Sequence, residues 1–86
     1  MFWRLEFDPQ AVKELAGLDR ALQRNVKRYL AQVCELEDPA VRGHGLTGPL
    51  AGHHRYRIGQ LRIIARIQRG ILTILVLRIG RRDSVY

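Results

Sequence analysis

The sequence predicts an α+β fold in which two N-terminal helices pack on one face of a mainly antiparallel, twisted sheet. Two observations support this prediction. Apolar residues recur at helical spacing in the first half of the chain, and three strand-like runs in the second half are joined by connections short enough to require hairpins. With 86 residues and no linker rich in glycine and serine, residues 1–86 are expected to form a single domain with the element order β-α-α-β-β-β.

The first predicted strand is the segment MFWRLEF, whose side chains alternate between two sides of the strand. One side is apolar throughout, and Trp3 is expected to pack beneath the helices. Asp8 and Pro9 then predict a helix start. Aspartate accepts hydrogen bonds from the unpaired N–H groups of a first turn, and proline has no N–H group to leave unpaired.

Apolar residues continue at helical spacing from Ala11 to Val33. Gly17 followed by Asp19 indicates a break and a second helix start, so this region is either an αα-hairpin or one long helix kinked near Gly17. Cys34, at the end of the apolar stripe, is expected in the core. As the single cysteine it excludes an intrachain disulfide and fits a reducing cytosol.

The second half begins with a connection and continues with strands. After Asp38, the segment EDPAVRGHGLTGPLAG is rich in glycine and proline, which predicts a surface connection with turns. The three predicted strands lie at about residues 53–58, 61–68 and 71–79. Short turns at Gly59-Gln60 and Arg69-Gly70 separate them and favour antiparallel pairing. The run ILTILVLRI is apolar on both faces, which is typical of a central strand covered on both sides.

The net charge of +7 lies entirely in the second half of the chain. Residues 1–43 contain seven basic and seven acidic side chains, whereas residues 44–86 contain eight arginines and one aspartate. A concentrated positive field attracts polyanions, so nucleic acid is the expected class of partner. No membrane partner is expected, because we find no basic helix with one apolar face and no window near the ~20 apolar residues that cross a bilayer.

Arginines alternate with apolar residues in HHRYRIGQLRIIARIQRG, residues 53–70, where every charged side chain is an arginine. Arg55 and Arg57 project from the same strand face, and Arg62 opens the next strand across the turn. With Arg82 and Tyr86 after the last strand, we expect a concave cluster of four guanidiniums beside a phenol. Alternating arginines are also typical of an ordinary solvated face. The missing countercharges favour a phosphate ligand instead, because like charges on neighbouring strands are destabilising.

The histidines do not predict a metal site. The spacing of His44, His53 and His54 fits no zinc pattern, and no cysteine or acidic ligand accompanies them. His53 and His54 are adjacent and point to opposite strand faces. A catalytic role for one of them stays open, since one lies on the strand end that bears Arg55.

The sequence resembles the RelE/ParE superfamily of bacterial toxins, and its RelE branch more closely. The resemblance rests on the element order and on the segments EFDPQAVKELAGL, GHGLTGPLAGHHRYRIGQLRIIARI and LRIGRRDSVY, and it covers nearly the whole chain. It implies a RelE-like microbial RNase-type fold. It also implies a ribosome-dependent mRNA endonuclease that binds in the decoding site and cuts the codon there, and that a partner antitoxin silences.

The resemblance implies a set of catalytic arginines. Arg55 and Arg57 occupy the positions of a basic pair on the second strand, and both positions are lysines in RelE itself. Arg62 matches the arginine that contacts the scissile phosphate. Arg82 matches a second catalytic arginine, with Arg81 as its register alternative. Replacement of both lysines by arginine weakens any scheme in which a lysine carries a proton.

Tyr86 matches the terminal tyrosine of the family motif, although the tail after Arg82 is shorter than in RelE. Its phenol could act as a base only if the guanidiniums lowered its pKa from about 10, and it could instead stack on a base. Arg81, Arg66 and His54 are assigned to substrate binding. Since arginines can compensate the charge of the phosphorane formed by 2′-OH attack, neither a metal nor a cofactor is expected.

Two other functions remain open at this stage. One is a ParE-like DNA gyrase inhibitor without nuclease activity, and the other is a catalytically inactive RNA-binding module. ParE-like chains generally lack the arginine and tyrosine constellation, which favours the nuclease. The expected partners are the ribosome, mRNA and an acidic antitoxin that folds on binding, in a heterotetramer or other hetero-oligomer. The expected location is the cytoplasm.

Overall fold

A computed structural model describes residues 2–81 and confirms the α+β class. The helices and strands in chain order are β1 (Arg4–Phe7), α1 (Pro9–Ala16), α2 (Arg20–Cys34), β2 (His44–Gly45), β3 (His54–Ile58), β4 (Leu61–Gln68) and β5 (Thr73–Arg81). Short 3₁₀ turns lie at Pro39–Val41, Gly48–Leu50 and Arg69–Ile71. No helix in the described part of the chain is long and apolar enough to cross a membrane.

The five strands form one sheet in the order β1-β5-β4-β3-β2. β5 therefore has a neighbour on each side, as its apolar sequence predicts. β3, β4 and β5 pair antiparallel through the two predicted hairpins, whereas β1 pairs parallel with β5. A bulge between Ile64 and Ala65 interrupts the β4–β5 register. The sheet is thus mixed, with a single parallel pair at one edge.

The two-residue strand β2 was not predicted, because it lies inside the glycine-rich connection. His44 pairs with Arg55, and Gly45 pairs with His54. Gly43 immediately before it has φ +76, and a side chain there would collide with the carbonyl oxygen of Arg55. Glycine at this position therefore allows the connection to approach β3 closely.

The two helices form an αα-hairpin, which decides between the two predicted alternatives. Asp8 caps α1 by accepting a hydrogen bond from the Gln10 N–H (3.0 Å), and Asp19 caps α2 by accepting one from the Leu22 N–H (2.9 Å). Gln23 donates from Nε2 to the Leu18 carbonyl oxygen (2.8 Å) and fixes the turn between the helices. Each helix start is therefore set by an aspartate adjacent to it in sequence.

The helices pack on one face of the sheet around a shared apolar core. Its fully buried members include Val26, Leu30 and Val33 from α2 and Tyr56, Ile63, Ile74 and Val76 from the sheet. Trp3 is buried and donates from Nε1 to the Glu37 carbonyl oxygen (3.1 Å), and Cys34 is fully buried, which raises the pKa of its thiol. The predicted core positions of Trp3 and Cys34 are confirmed.

Two predicted strand starts are too early. β1 begins at Arg4, because the N–H groups of Phe2 and Trp3 both donate to the Cys34 carbonyl oxygen (3.1 Å each) rather than to a strand. β5 begins at Thr73, because Leu72 adopts a left-handed conformation with φ 47 after the 3₁₀ turn. Met1 lies outside the described residues.

Helix α1 closes the edge of β5 beyond the end of β1. The Glu14 carboxylate accepts hydrogen bonds from the Ile79 N–H (2.8 Å) and from Nε and Nη2 of Arg78 (3.0–3.1 Å). Burial alone raises the pKa of Glu14, but the hydrogen bonds from Arg78 and Ile79 outweigh it and hold this pKa below its usual value. Residue spacing does not predict this contact, since 64 positions separate Glu14 from Arg78.

Candidate functional site

The sheet face turned away from the helices carries a group of arginines on β3 and β4. We call this group the arginine face; its members are Arg55, Arg57, Arg62 and Arg66. Arg57 lies directly opposite Arg62 in the β3–β4 register, and Arg55 lies opposite Ile64. Because neighbouring side chains alternate between faces, these arginines point away from the core residues Tyr56 and Ile63. The predicted meeting of Arg55, Arg57 and Arg62 on one face is therefore observed.

Arg62 is the most buried member of the arginine face, with 7% of its surface exposed. Its Nη1 group donates to the carbonyl oxygens of Gly59 (3.3 Å), in the β3–β4 turn, and of Leu61 (3.2 Å), the first residue of β4. Its partner on β5 is Gly80. The tight turn thus holds this guanidinium in a fixed position before any ligand arrives.

The exposure of the other arginines differs along the strands. Arg57 is exposed beside Arg62, whereas Arg55 is half-buried. Arg66 is exposed and lies four residues beyond Arg62 on β4, which corresponds to ~13 Å along a strand. Residues 2–81 enclose no pocket around these side chains. Arg82 and Tyr86, which complete the expected concave cluster, lie outside the described residues.

His53, rather than His54, lies at the arginine face. The Nη2 group of Arg66 is 3.1 Å from Nε2 of His53. Nδ1 of His53 is buried and has no hydrogen-bond partner among the described residues. The sequence carries a signal that separates the two histidines, because alternation puts His53, two residues before Arg55, on the side of the arginines and His54 on the other side.

His54 points to the opposite face and packs in the core. The residue is 7% exposed, its ring centroid lies 4.9 Å from that of Tyr56, and its Nε2 donates to the Arg42 carbonyl oxygen (2.6 Å). This position separates His54 from the arginine face and corrects its expected grouping with the substrate-binding residues. The physical reason is strand alternation, which puts His54 on the same side as Tyr56.

The end of β5 provides the last described residue of the expected site. Arg81 is exposed and pairs in register with Leu61, a core residue, so it projects from the face opposite to Arg62. It therefore does not join the arginine face. Arg82 and Tyr86 lie outside the described residues.

Two arginines of the second half are neutralised by carboxylates from the first half. Arg69 pairs with Asp38 (3.0 Å) and Arg78 pairs with Glu14 (3.0 Å). Hydrogen bonds from the Ala40 N–H and from Arg69 lower the pKa of Asp38, and Glu14 raises the pKa of Arg78. The positive excess expected from the sequence is therefore smaller at both of these places.

A family model supplies an independent assignment of the chain. The model describes the ParE toxin of the type II toxin–antitoxin system parDE, and it matches residues 5–86. The chain belongs to the ParE toxin family. No curated protein matches the toxin in a sequence comparison.

Solved structures confirm the resemblance of this toxin to the RelE/ParE superfamily. The RelBE2 toxin–antitoxin complex from Mycobacterium tuberculosis contains a chain that is 26% identical, with a TM-score of 0.85. The match covers 95% of the present chain and 100% of the M. tuberculosis chain. A chain of the archaeal RelE–RelB complex from Pyrococcus horikoshii is 26% identical, with a TM-score of 0.74. The match covers 99% of the present chain and 100% of that chain. Isolated E. coli RelE shares the fold, at 20% identity and a TM-score of 0.76. The match covers 92% of the present chain and 83% of the E. coli chain.

Proposed function

We propose that this ParE-family toxin is a ribosome-dependent mRNA endonuclease that cuts the codon in the ribosomal A site without a metal. The observation that supports this proposal most directly is the buried guanidinium of Arg62 directly across the strand from Arg57. Two planar cations at neighbouring positions suit the non-bridging oxygens of one phosphodiester.

The proposed reaction uses the nucleophile that RNA carries. The 2′-OH loses its proton to a base and attacks the adjacent phosphorus, a 2′-O–P bond forms, and the P–O5′ bond breaks as the 5′ oxygen takes up a proton. The products are a 2′,3′-cyclic phosphate and a 5′-OH. Arg57 and Arg62 would compensate the charge of the phosphorane. Arg55 and Arg66 would hold flanking phosphates.

The C-terminal residues keep the roles that the family resemblance implies. Arg82 is proposed to add a further cation at the phosphate, and Tyr86 is proposed to act as a base or to stack on a nucleobase. Arg81 is proposed to contact RNA outside the reacting phosphate, since its position on the core side of the sheet separates it from Arg62.

We also propose that the toxin works in the cytoplasm with the ribosome and mRNA, under the control of an acidic antitoxin. The M. tuberculosis and P. horikoshii relatives were solved in complexes with RelB partners. An acidic antitoxin segment that folds on binding could cover the arginine face, because its negative charge would complement the positive charge of this surface. The expected assembly is a heterotetramer or another hetero-oligomer.

The decisive test is mRNA cutting in a reconstituted translation system. Arg62→Ala should slow the cutting of ribosome-bound mRNA by about 10²–10³, because it removes one preorganised donor to a developing charge. Lys13→Ala is the matched control, since Lys13 is an exposed cation on α1 and should leave cutting unchanged. Primer extension on the mRNA would measure both rates. Wild-type cutting by Arg62→Ala would contradict the assigned site.

The family model favours one second candidate, because it is described as the ParE toxin of parDE. A ParE-like protein would inhibit DNA gyrase and perform no chemistry on RNA. A supercoiling assay with purified gyrase separates the two functions. Intact mRNA together with loss of supercoiling would replace the nuclease proposal by gyrase inhibition, whereas RNA that is bound but never cut would indicate an inactive RNA-binding module.

A further inference from the structure

Helix α2 carries a second positive surface, distinct from the arginine face. We call it the helix stripe; its members are the four exposed cations Arg20, Arg24, Lys27 and Arg28. None of the 15 residues of α2 is acidic, and the ion pairs formed within residues 2–81 involve no member of the stripe. The equal numbers of acids and bases in residues 1–43 therefore conceal a local excess of positive charge.

The helix stripe points away from the sheet. With 3.6 residues per turn, its four cations fall within about a third of the helix circumference. They lie opposite the side on which Val26, Leu30 and Val33 pack into the core. The arginine face is on the far side of the sheet from this core. The two positive surfaces therefore face in opposite directions.

We propose that the helix stripe binds the phosphate backbone of structured RNA, so that the toxin contacts RNA on two opposite sides. The inference deepens the proposed function and rests on it for the identity of the RNA as part of the ribosome. Like charges four residues apart destabilise a helix, and α2 contains two such pairs, Arg20 with Arg24 and Arg24 with Arg28. Phosphate contacts relieve this repulsion and need charge alone, without an apolar anchor.

The surroundings of the stripe disfavour a protein or a membrane as its occupant. Large exposed apolar side chains in the described part of the chain are Phe2, Val12, Val41, Ile71 and Leu72, and none of them lies on α2. Protein interfaces are centred on aromatic and apolar side chains and are depleted in lysine. Membrane-surface helices insert an apolar face. α2 is a basic amphipathic helix, contrary to the sequence analysis, but its apolar face is already buried in the core.

Binding to a short RNA hairpin tests the inference without requiring cleavage. The variant Arg24→Gln/Arg28→Gln, made in the full chain, should bind the hairpin about tenfold more weakly at physiological salt. It should also lower the slope of log affinity against log salt concentration by about 2, since each lost phosphate contact removes about one unit. The matched control Arg24→Lys/Arg28→Lys keeps the charge and should retain both the affinity and the slope.

Further measurements make each outcome decisive. The glutamine variant should keep the wild-type helical circular dichroism and melt at the same or a higher temperature, since it removes like charges from an exposed helix face. Unchanged hairpin affinity and salt slope in this folded variant would overturn the inference, and so would intact RNA binding combined with lost antitoxin binding. If ribosomal mRNA stays uncut by the wild-type toxin while the hairpin result holds, the nuclease proposal fails and the stripe stands as an RNA contact.

Discussion

Arg62 and Arg78 lie on the same side of the sheet, on adjoining strands, and are held in different ways. Arg62 donates to two backbone carbonyl oxygens at the β3–β4 turn, whereas Arg78 donates to both oxygens of the Glu14 carboxylate. Carbonyl oxygens position a guanidinium without cancelling its charge, and a carboxylate does both. Within these described contacts, the turn positions the Arg62 guanidinium, whereas the carboxylate both positions and neutralises the guanidinium of Arg78.

The largest expected difference is between the variants Arg62→Ala and Arg78→Ala. The former should lose the 10²–10³ in cutting rate given above, because it removes a preorganised donor to the developing charge. The latter should lose roughly 1 kcal/mol of unfolding free energy, because its ion pair is half exposed, and should keep most of its activity. Urea unfolding would measure the stability of both variants, and primer extension would measure their cutting rates. Equal effects of the two variants on both quantities would remove the distinction.

The next expected effect concerns Glu14, the carboxylate that joins α1 to β5. Glu14→Ala leaves the Ile79 N–H without its acceptor and should lower the unfolding free energy by roughly 2 kcal/mol. Glu14→Gln keeps a neutral acceptor for that N–H group and should lose about half as much. Asp8→Asn, which preserves the cap of α1, serves as a control for changes in helix charge. If Glu14→Gln lost as much unfolding free energy as Glu14→Ala, the ion pair with Arg78 would contribute more to stability than the hydrogen bond from the Ile79 N–H.

The lowered pKa of Glu14 gives the same contact a pH dependence. A carboxyl whose pKa is lower in the folded state stabilises the protein above its unfolded pKa of about 4.3, and this contribution disappears as the pH falls through the folded pKa. Unfolding free energy should therefore fall more steeply below about pH 4.3 in the wild type than in Glu14→Gln. Denaturant unfolding of both proteins between neutral and acidic pH would test this. Parallel curves would show that Glu14 is not the titrating group, and Asp38, whose pKa is also lowered, would be examined next.

Features fixed by neighbours in sequence were predicted well. Asp8 and Asp19 cap the helices they precede, and the Gly59-Gln60 turn sets the β3–β4 register that brings Arg57 opposite Arg62. Strand alternation then places every side chain of that hairpin on one face or the other. For this reason the arginine face was predictable from residue spacing alone.

Features that depend on distant segments were not predicted. The parallel pairing of β1 with β5, the short strand β2 and the Glu14–Arg78 contact all join parts of the chain whose sequences carry no local mark of the partner. The helix stripe was not predicted for a different reason. Its cations alternate with core residues at helical spacing, so a charge count over half the chain averages them against acids that lie elsewhere.

The smallest expected effect concerns Arg66, which lies on the arginine face ~13 Å along the strand from Arg62. Arg66→Gln should raise KM several-fold and leave kcat unchanged, because an exposed cation at this distance contacts a flanking phosphate equally in the ground state and the transition state. Arg69→Gln is the matched control, since Arg69 is also exposed but is already paired with Asp38. Steady-state cutting of ribosome-bound mRNA would measure both variants. A fall in kcat for Arg66→Gln would contradict this prediction. It would place Arg66, and the His53 side chain that Arg66 contacts, within the reacting centre.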